Sequence, residues 1–345
     1  MTADTPSAPG RRSDWKLLVY AIALIGTIAV VLIEILLQLA MPAYALRQSW
    51  TDDYWLAARK GNLCLEVAGD LEVDRALGWR MRKNHTAVGV KHDAKGLRSV
   101  GEVADNGPPI LAIGDSFTYG LGVADEETYS AQLARLSGRP AINAGVNGYG
   151  VDQAVMMFES LRVDVRPSAV VLGLFFDDFH RSALTVRDAP KPYFALAQDG
   201  QLVRHEAKSC QDLAENVSRL TSLRLPLLFQ WTYRQIADRI TGPPVAMLEE
   251  RARINLALLE RLKAAVRESG AQLVVLLIPH CLNDGTYGDW ILNRVSENCD
   301  VVGIDCIDFS KLPKQGMYGR NCHWSPEGHR MAAAQIEQRL RPVRD

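Results

Sequence analysis

The first distinct feature of the hydrophobic pattern is a run near the start of the chain that is apolar on every side. Over residues 17–40 the only ionisable side chains are Tyr20 and Glu34. At about 1.5 Å per residue, a helix of this length crosses a bilayer core of roughly 30 Å. A core helix of a soluble protein normally keeps a polar face, so the run predicts a transmembrane helix over residues 17–41.

A cleavable signal peptide is the main alternative for this run. Residues 43–45 read AYA, which has the small-x-small form of a cleavage site. The apolar run is longer than the roughly 7–15 residues that signal peptides use, and its length favours an uncleaved anchor.

Basic residues around the run predict its orientation. Arg11, Arg12 and Lys16 precede it, whereas only Arg47 lies equally close on the other side. This bias favours an N-terminus inside the cell, although it disappears when about 20 residues are counted. We therefore expect residues 1–16 to form a cytoplasmic tail. The C-terminal domain is then expected on the periplasmic or extracytoplasmic side of the inner membrane.

Glu34 stands out within the run because an ionised carboxylate is costly in lipid. Its presence predicts a position near the outer interface or a contact with another helix. A membrane-protein partner that binds through Glu34 is one form of the second possibility.

From residue 110 onward the pattern changes to short apolar runs that alternate with longer amphipathic stretches. Short apolar runs that end at glycine or polar residues are typical of buried parallel strands. Strands that alternate with helices predict a parallel sheet covered on both faces, with ligands bound at the carboxyl ends of the strands. The predicted strands cover residues 110–113, 141–144, 169–176, 272–278 and 303–308, and the predicted helices cover residues 126–136, 151–161, 247–268 and 326–340.

The region between the two patterns, residues 42–108, is predicted to be a juxtamembrane region with short elements. Residues 106–109 read NGPP, which breaks the chain. The main domain is therefore predicted to cover residues 109–345.

One stretch of this domain, residues 180–245, contains no strong buried strand. Residues 192–202 predict a small hairpin that turns at residues 199–200, which read DG. Residues 219–240 are predicted to form a helix that Pro226 interrupts. We interpret the stretch as an insertion over the active-site edge, either a lid or a substrate-selecting element.

Composition and charge narrow the class of protein. The 345 residues are 48% hydrophobic and 23% charged, which is typical of a globular chain and not of a disordered one. The net charge of −1 offers no basic surface for nucleic acid, so we expect no nucleic-acid partner.

The number and spacing of the cysteines bear on the cellular compartment and on metal binding. The six cysteines are an even number, which fits an oxidising, exported compartment. No CxxC pair or clustered Cys/His spacing occurs, so no metal site is predicted. Spacing leaves two bridges plausible, Cys281–Cys299 or Cys306–Cys322.

Candidate chemistry begins directly after the first strand, where residues 114–120 read GDSFTYG. Ser116 then lies at a turn between strand and helix, with backbone N–H groups near an exposed hydroxyl, as acyl transfer requires. A serine also needs a base, and the best-placed one is His323, which precedes a helix capped by Ser325. His329 falls inside that helix and is interpreted as a structural histidine. His280 follows the fourth strand, so we expect it near the cleft.

These blocks, taken together, resemble the SGNH (GDSL-like) hydrolase superfamily. Residues 143–150 read NAGVNGYG and are similar to the family's second block, and residues 170–178 read VVLGLFFDD and are similar to its third. The motif HWSPEGH at residues 323–329 pairs with GDSFTYG across about 200 residues, and all blocks stand in family order. The similarity covers about residues 110–180 and 270–340.

The resemblance implies a flavodoxin-like three-layer α/β/α sandwich with a central parallel sheet of about five strands. It also implies ester hydrolysis or O-acyl transfer without a cofactor. A membrane-anchored chain of this kind looks like the bacterial envelope members of the class.

The resemblance also assigns roles to particular residues. Ser116 matches the nucleophile and His323 the general base. The N–H groups of Ser116 and Gly148 match two donors of the oxyanion hole, and glycine allows the close approach that substrate needs. The third block normally supplies an asparagine donor, but here the matching residue is Asp177, which donates only when protonated.

The second departure concerns the acid that orients the histidine. The family places an aspartate two or three residues before the histidine, where this chain has Asn321 and Arg320. Asn321 can orient an imidazole but cannot balance its charge. Asp305 or Asp308 could substitute for the acid if the fold brings either carboxylate to His323.

Two functions follow from these observations. The first is a serine esterase or O-acyltransferase acting on an acylated small molecule, glycan or lipid of the cell envelope. The alternative is a catalytically degenerate, membrane-anchored binding or scaffolding protein, which the residues at positions 177 and 321 favour.

Overall fold

The structure of the chain is a computed structural model that describes most of the sequence. The predicted tail before residue 14, residues 43–45, Cys64 and Cys210 lie outside the described residues. The described ranges are residues 14–40, 69–101, 107–207, 223–241, 245–281, 292–297, 299, 303–319 and 321–340.

The centre of the molecule is a five-stranded parallel sheet, whose strands lie in the order 305–308, 272–278, 169–175, 110–114 and 141–145. This sheet, covered by helices on both faces, confirms the predicted α/β/α sandwich. All five strands run in the same direction, so their carboxyl ends share one edge of the sheet. The strands of this sheet are β5 (Ile110–Gly114), β6 (Ala141–Gly145), β7 (Ala169–Phe175), β10 (Gln272–Ile278) and β11 (Asp305–Asp308).

Two hydrophobic cores cover the two faces of this sheet, because neighbouring residues of a strand point to opposite sides. Leu111 and Ile113 of β5 belong to one core, and Ile110 and Ala112 belong to the other. The helices over residues 151–165 and 245–268 pack on the first face, and the helices over residues 129–137 and 326–340 pack on the second. The helices of the domain are α2 (Ser116–Tyr119), α3 (Tyr129–Ser137), α4 (Val151–Val165), α5 (Asp178–Arg181), α6 (Arg224–Thr241), α7 (Val245–Glu268) and α8 (Pro326–Leu340).

The N-terminal apolar run forms helix α1 (Asp14–Ala40), and its residues 15–39 are long and apolar enough to cross a membrane. Most side chains of this span are exposed, and Glu34 is half-buried. The helix begins three residues before the predicted start, because helical structure continues from the polar flank into the apolar run.

The described part of the juxtamembrane region, residues 69–101, contains two small hairpins and packs into the main domain. Trp79 and Met81 are fully buried. The guanidinium of Arg98 donates to the backbone oxygens of Tyr119 and Gly120 at 2.8 and 2.6 Å. The hairpin strands are β1 (Leu71–Asp74), β2 (Gly78–Met81), β3 (Thr86–Ala87) and β4 (Val90–Lys91).

The insertion contains the predicted hairpin, formed by β8 (Tyr193–Leu196) and β9 (Leu202–His205). Helix α6 begins at Arg224, so Pro226 lies in its first turn and does not interrupt it. A proline is tolerated there because the first N–H groups of a helix have no partner within the helix. Residues 208–222 lie outside the described part of the chain.

The predicted helix over residues 126–136 is divided in two. A short 3-10 turn covers Asp125–Glu127, and α3 then begins at Tyr129. Thr128 separates them because its hydroxyl accepts the N–H of Ala131 at 3.3 Å and caps α3.

The disulfides correct the pairing that spacing suggested. Cys281 bonds to Cys322, and Cys299 bonds to Cys306. Neither Cys281–Cys299 nor Cys306–Cys322 occurs. Cys281 lies just beyond the carboxyl end of β10, and the loop that holds Cys322 returns to the same edge of the sheet, so the fold joins cysteines that are far apart in sequence.

Candidate active site

Ser116 lies where β5 ends, at the first residue of the short helix α2. Asp115 caps this helix, since its Oδ1 accepts the N–H of Phe117 at 2.9 Å. The cap fixes the turn that carries the serine. Ser116 is 6% exposed, so its hydroxyl is sheltered from bulk water.

His323 meets this serine across 207 residues of sequence. Its Nε2 lies 2.9 Å from Ser116 Oγ, and its Nδ1 lies 3.2 Å from the backbone oxygen of Asn321. A carbonyl oxygen can only accept, so Nδ1 carries the proton and Nε2 is left to accept from the serine. The imidazole also stacks on Phe117, with ring centroids 5.0 Å apart.

Asn321 orients His323 in a different way from the one the sequence suggested. Its backbone oxygen accepts from the ring, whereas its side-chain Oδ1 accepts the backbone N–H of His323 at 3.3 Å. The two other candidate acids bond elsewhere: Asp305 pairs with Arg339, and Asp308 caps the turn at Ser310. Within the described part of the chain, Ser116 and His323 therefore form a dyad supported by a peptide oxygen.

The loop that carries His323 is held by the disulfide between Cys322 and Cys281. Side-chain atoms of His280, Cys281 and Cys322 lie within 4.8 Å of one another, a spacing that metal ligands also have. Both sulfurs are consumed in the disulfide, so this group acts as a covalent brace beside the base. His280 also makes an edge contact with the ring of Phe176.

Asp177 does not face the serine as a free carboxylate. Its Oδ2 accepts from Arg181 Nε at 2.9 Å. The other side of the same guanidinium binds Asp178 at 2.7 Å and Asp115 at 3.1 Å. Ser116 Oγ also lies 3.3 Å from Asp115 Oδ2, so the ion cluster extends to the nucleophile.

Burial and charge act in opposite directions in this cluster. Burial lowers the pKa of the Arg181 guanidinium, but the three carboxylates outweigh it and raise that pKa overall. Burial and the neighbouring Asp115 raise the pKa of Asp178 well above its usual range. One guanidinium thus stabilises a concentration of acidic groups that would otherwise repel one another.

Gly148 has a φ of +82°, a conformation that favours glycine. The space where a side chain would stand is filled by Arg187, because a Cβ on Gly148 would lie 1.9 Å from its Nη1. Arg187 also pairs with Asp188, and burial lowers the pKa of its guanidinium. Its Nε is buried without a hydrogen-bond partner among the described residues.

The fold therefore brings together Ser116, His323 and the backbone of Asn321, with Gly148 and Asp177 in the neighbouring loops. Sequence reasoning missed Arg187 because it lies in the insertion and belongs to no motif. It also missed Arg181, although the spacing from Asp177 to Arg181 on a helix start was a usable signal.

His329 has a structural role within helix α8. It is 1% exposed, and its Nδ1 accepts the N–H of Tyr129 at 3.2 Å. Burial lowers its pKa to about 3, so the ring is neutral at physiological pH. It joins α8 to the start of α3.

No protein-family model matches the chain, and comparison with curated proteins finds no match. Similar solved structures include a protein described as lipolytic, of the G-D-S-L family, from Desulfitobacterium hafniense, at 14% identity and a TM-score of 0.42, covering 68% of this chain and 100% of that one. An esterase from Pseudoalteromonas sp. is 13% identical with a TM-score of 0.39, covering 67% and 96% of the two chains. A mutant acetylxylan esterase from Geobacillus stearothermophilus is 15% identical with a TM-score of 0.38, covering 71% and 100%.

Proposed function

We propose that this protein is a serine esterase or O-acyltransferase in which Ser116 is the nucleophile and His323 is the general base. The observation that supports this most directly is the 2.9 Å contact between Ser116 Oγ and His323 Nε2, in a tautomer set by the carbonyl of Asn321. A serine with a correctly oriented base is the minimum that acyl transfer requires.

The proposed reaction has two steps. Ser116 Oγ attacks the carbonyl carbon of the ester while its proton passes to His323 Nε2, and the imidazolium then gives that proton to the departing alkoxide. In the second step water, or an acceptor hydroxyl, loses a proton to His323 and attacks the acyl-serine. The bond between the acyl carbon and Ser116 Oγ then breaks, and the imidazolium returns the proton to Oγ. Water gives hydrolysis, and an acceptor hydroxyl gives acyl transfer.

The oxyanion that forms in each step needs donors. We assign the N–H groups of Ser116 and Gly148 to this role, as the sequence resemblance implies. Asp177 forms an ion pair with Arg181, and this pairing reduces the repulsion between the Asp177 carboxylate and an oxyanion. Arg187, whose guanidinium lies against Gly148, is proposed to contribute positive charge there.

The proposed substrate is an ester-linked acyl group on a glycan or lipid of the cell envelope. Helix α1 is proposed to anchor the protein in the inner membrane, with the domain on the periplasmic side. Two disulfides among the described residues support an oxidising compartment, because the cytosol keeps most thiols reduced.

Hydrolysis of a short-chain aryl acetate by the full chain in detergent micelles tests this proposal. Ser116→Ala should abolish hydrolysis and labelling by a serine-directed phosphonate, whereas Ser160→Ala, on the outer helix α4, should preserve both. Equal rates for the native protein and Ser116→Ala would refute the proposal.

Among the described residues no carboxylate is hydrogen-bonded to His323, and this favours the alternative, a binding protein that has kept the fold without turnover. The phosphonate separates the two, because it needs an activated nucleophile but not the natural substrate. A native protein that resists labelling and hydrolyses no aryl acetate would be a binding protein.

A further inference from the structure

The carboxylate of Glu34 within α1 has a definite role in the structure. Its Oε1 accepts the N–H of Arg224 at 2.5 Å, and its Oε2 accepts the N–H of Leu225 at 2.7 Å. These are the first N–H groups of α6, which have no partner within their own helix. Glu34 therefore caps α6 and fastens the start of that helix to α1.

Helix α6 carries an exposed apolar face. Phe229 and Tyr233 are each 73% exposed and Ile236 is 53% exposed, and their spacing of four and three residues places them on one side of the helix. Elsewhere outside α1, the large exposed hydrophobic side chains of the described residues are scattered along the sequence. They are Val73, Val88, Leu136, Val163, Val203 and Leu223.

The attachment point determines which surroundings this face meets. Glu34 lies five residues before Leu39, where the apolar span ends. The distance between these two residues is about 8 Å along the helix axis. Interfacial helices insert their apolar face to roughly 5–10 Å, and tyrosine is enriched at that depth. In a bilayer that α1 crosses, the start of α6 would lie about 8 Å inside the end of the span, within the depth that interfacial helices reach.

We propose that α6 is a membrane-surface helix whose Phe229, Tyr233 and Ile236 insert into the outer leaflet of the bilayer that α1 crosses. The partner of this face is the lipid interface. The inference rests on the proposed anchoring by α1, but it requires no catalytic activity.

Helix α6 is also linked along the chain to the active-site edge of the sheet. Helix α7 begins four residues after α6 ends, and its Arg251 donates to His180 Nδ1 at 2.6 Å. His180 lies in α5, just beyond the carboxyl end of β7. Since Ser116 follows the adjacent strand at the same edge, an interfacial α6 would favour substrates that reside in or on the membrane.

Photocrosslinking of the full chain in vesicles of phosphatidylethanolamine and phosphatidylglycerol tests the proposal. A benzoylphenylalanine is placed at Phe229 or Tyr233, and at Val163 as a control that is 70% exposed on α4. Mass spectrometry should find lipid adducts on α6 and at least tenfold fewer at position 163. Equal adduct yields at all three positions, or crosslinks from α6 to a second copy of the chain, would overturn the proposal.

The role of Glu34 is tested in the same vesicles. Glu34→Ala should lower the adduct yield at position 229 about fivefold, the loss expected for a missing helix cap, and Glu34→Gln should retain part of it. An unchanged yield in Glu34→Ala would contradict the capping role. The whole experiment is repeated in Ser116→Ala, where the adducts should persist, so failure of the proposed catalysis and failure of this inference give different results.

Discussion

At the scale of single residues, the most consequential feature is the oxygen that supports His323. A peptide carbonyl holds the imidazole in the correct tautomer but carries only a partial charge. It therefore stabilises the imidazolium of the transition state less than a carboxylate does. We expect the proposed reaction to proceed, with a rate below that of a complete Ser-His-Asp triad.

Asn321→Ala tests whether the backbone or the side chain orients the base. The carbonyl remains in the variant, so we expect kcat/KM for aryl acetate to stay within about threefold, since only one weak side-chain hydrogen bond is lost. His323→Ala, measured beside it, should fall to the level of Ser116→Ala. A loss of about a hundredfold in Asn321→Ala would show that the amide side chain is the true support.

Arg187 is the residue that the proposed oxyanion site gains from the insertion. Arg187→Ala should lower kcat about 10- to 100-fold with little change in KM, because the charge is used mainly when the oxyanion forms. Arg187→Lys should recover part of the loss. Arg204→Ala removes an arginine that pairs with Glu206 in the same insertion, and it should leave kcat unchanged. Similar values for Arg187→Ala and Arg204→Ala would remove Arg187 from the site.

At the scale of elements, the buried ring of His329 connects α8 and α3 and makes their packing sensitive to pH. The pKa of His329 is about 3 in the folded protein, below the ordinary value of about 6.5 that applies on unfolding. Between these values only the unfolded chain binds the proton, so stability is lost as pH falls below about 6.5.

Urea unfolding of the full chain in detergent measures this effect. Because of this histidine, the free energy of unfolding should be about 2 kcal/mol lower at pH 5 than at pH 7. This value follows from about 1.4 kcal/mol per pKa unit. His329→Asn keeps an acceptor near Tyr129 without the titration, so its pH dependence over this range should be correspondingly smaller. Identical pH dependence in the two proteins would show that other groups are responsible.

At the scale of the whole molecule, the disulfide between Cys281 and Cys322 joins the end of β10 to the loop of the base. Its sequence separation of 41 residues corresponds to about 4 kcal/mol of unfolding free energy in the loop-entropy account. Because His323 directly follows Cys322, loss of the disulfide should also misplace the imidazole.

The double variant C281S/C322S should therefore lose both stability and most of its kcat. The matched double variant C299S/C306S removes a bridge with a separation of 7 residues, and it should keep its kcat while losing less stability. Urea unfolding measures the stability of each double variant, and aryl acetate hydrolysis measures its kcat. Full activity in C281S/C322S would mean that packing on Phe117 and the carbonyl of Asn321 position the base without the disulfide.

Local patterns in the sequence were enough to predict much of this molecule. The five strands, α8 from Pro326 to Leu340 and the apolar span each depend on periodicity or caps within a short stretch. The turn at Ser116 and the loop at His323 were likewise predicted, because each directly follows or precedes such an element.

Tertiary structure alone decided the contacts between distant segments. The bond of Glu34 to α6, the position of Arg187 over Gly148 and the pairing of Cys281 with Cys322 each join segments that no local period relates. The choice between the amide and the backbone carbonyl of Asn321 also depended on how the loop folds. The sequence by itself determined which elements form and which residues could react. The packing of those elements determined which atoms meet, because side-chain contacts arise only when the whole sheet and its loops are assembled.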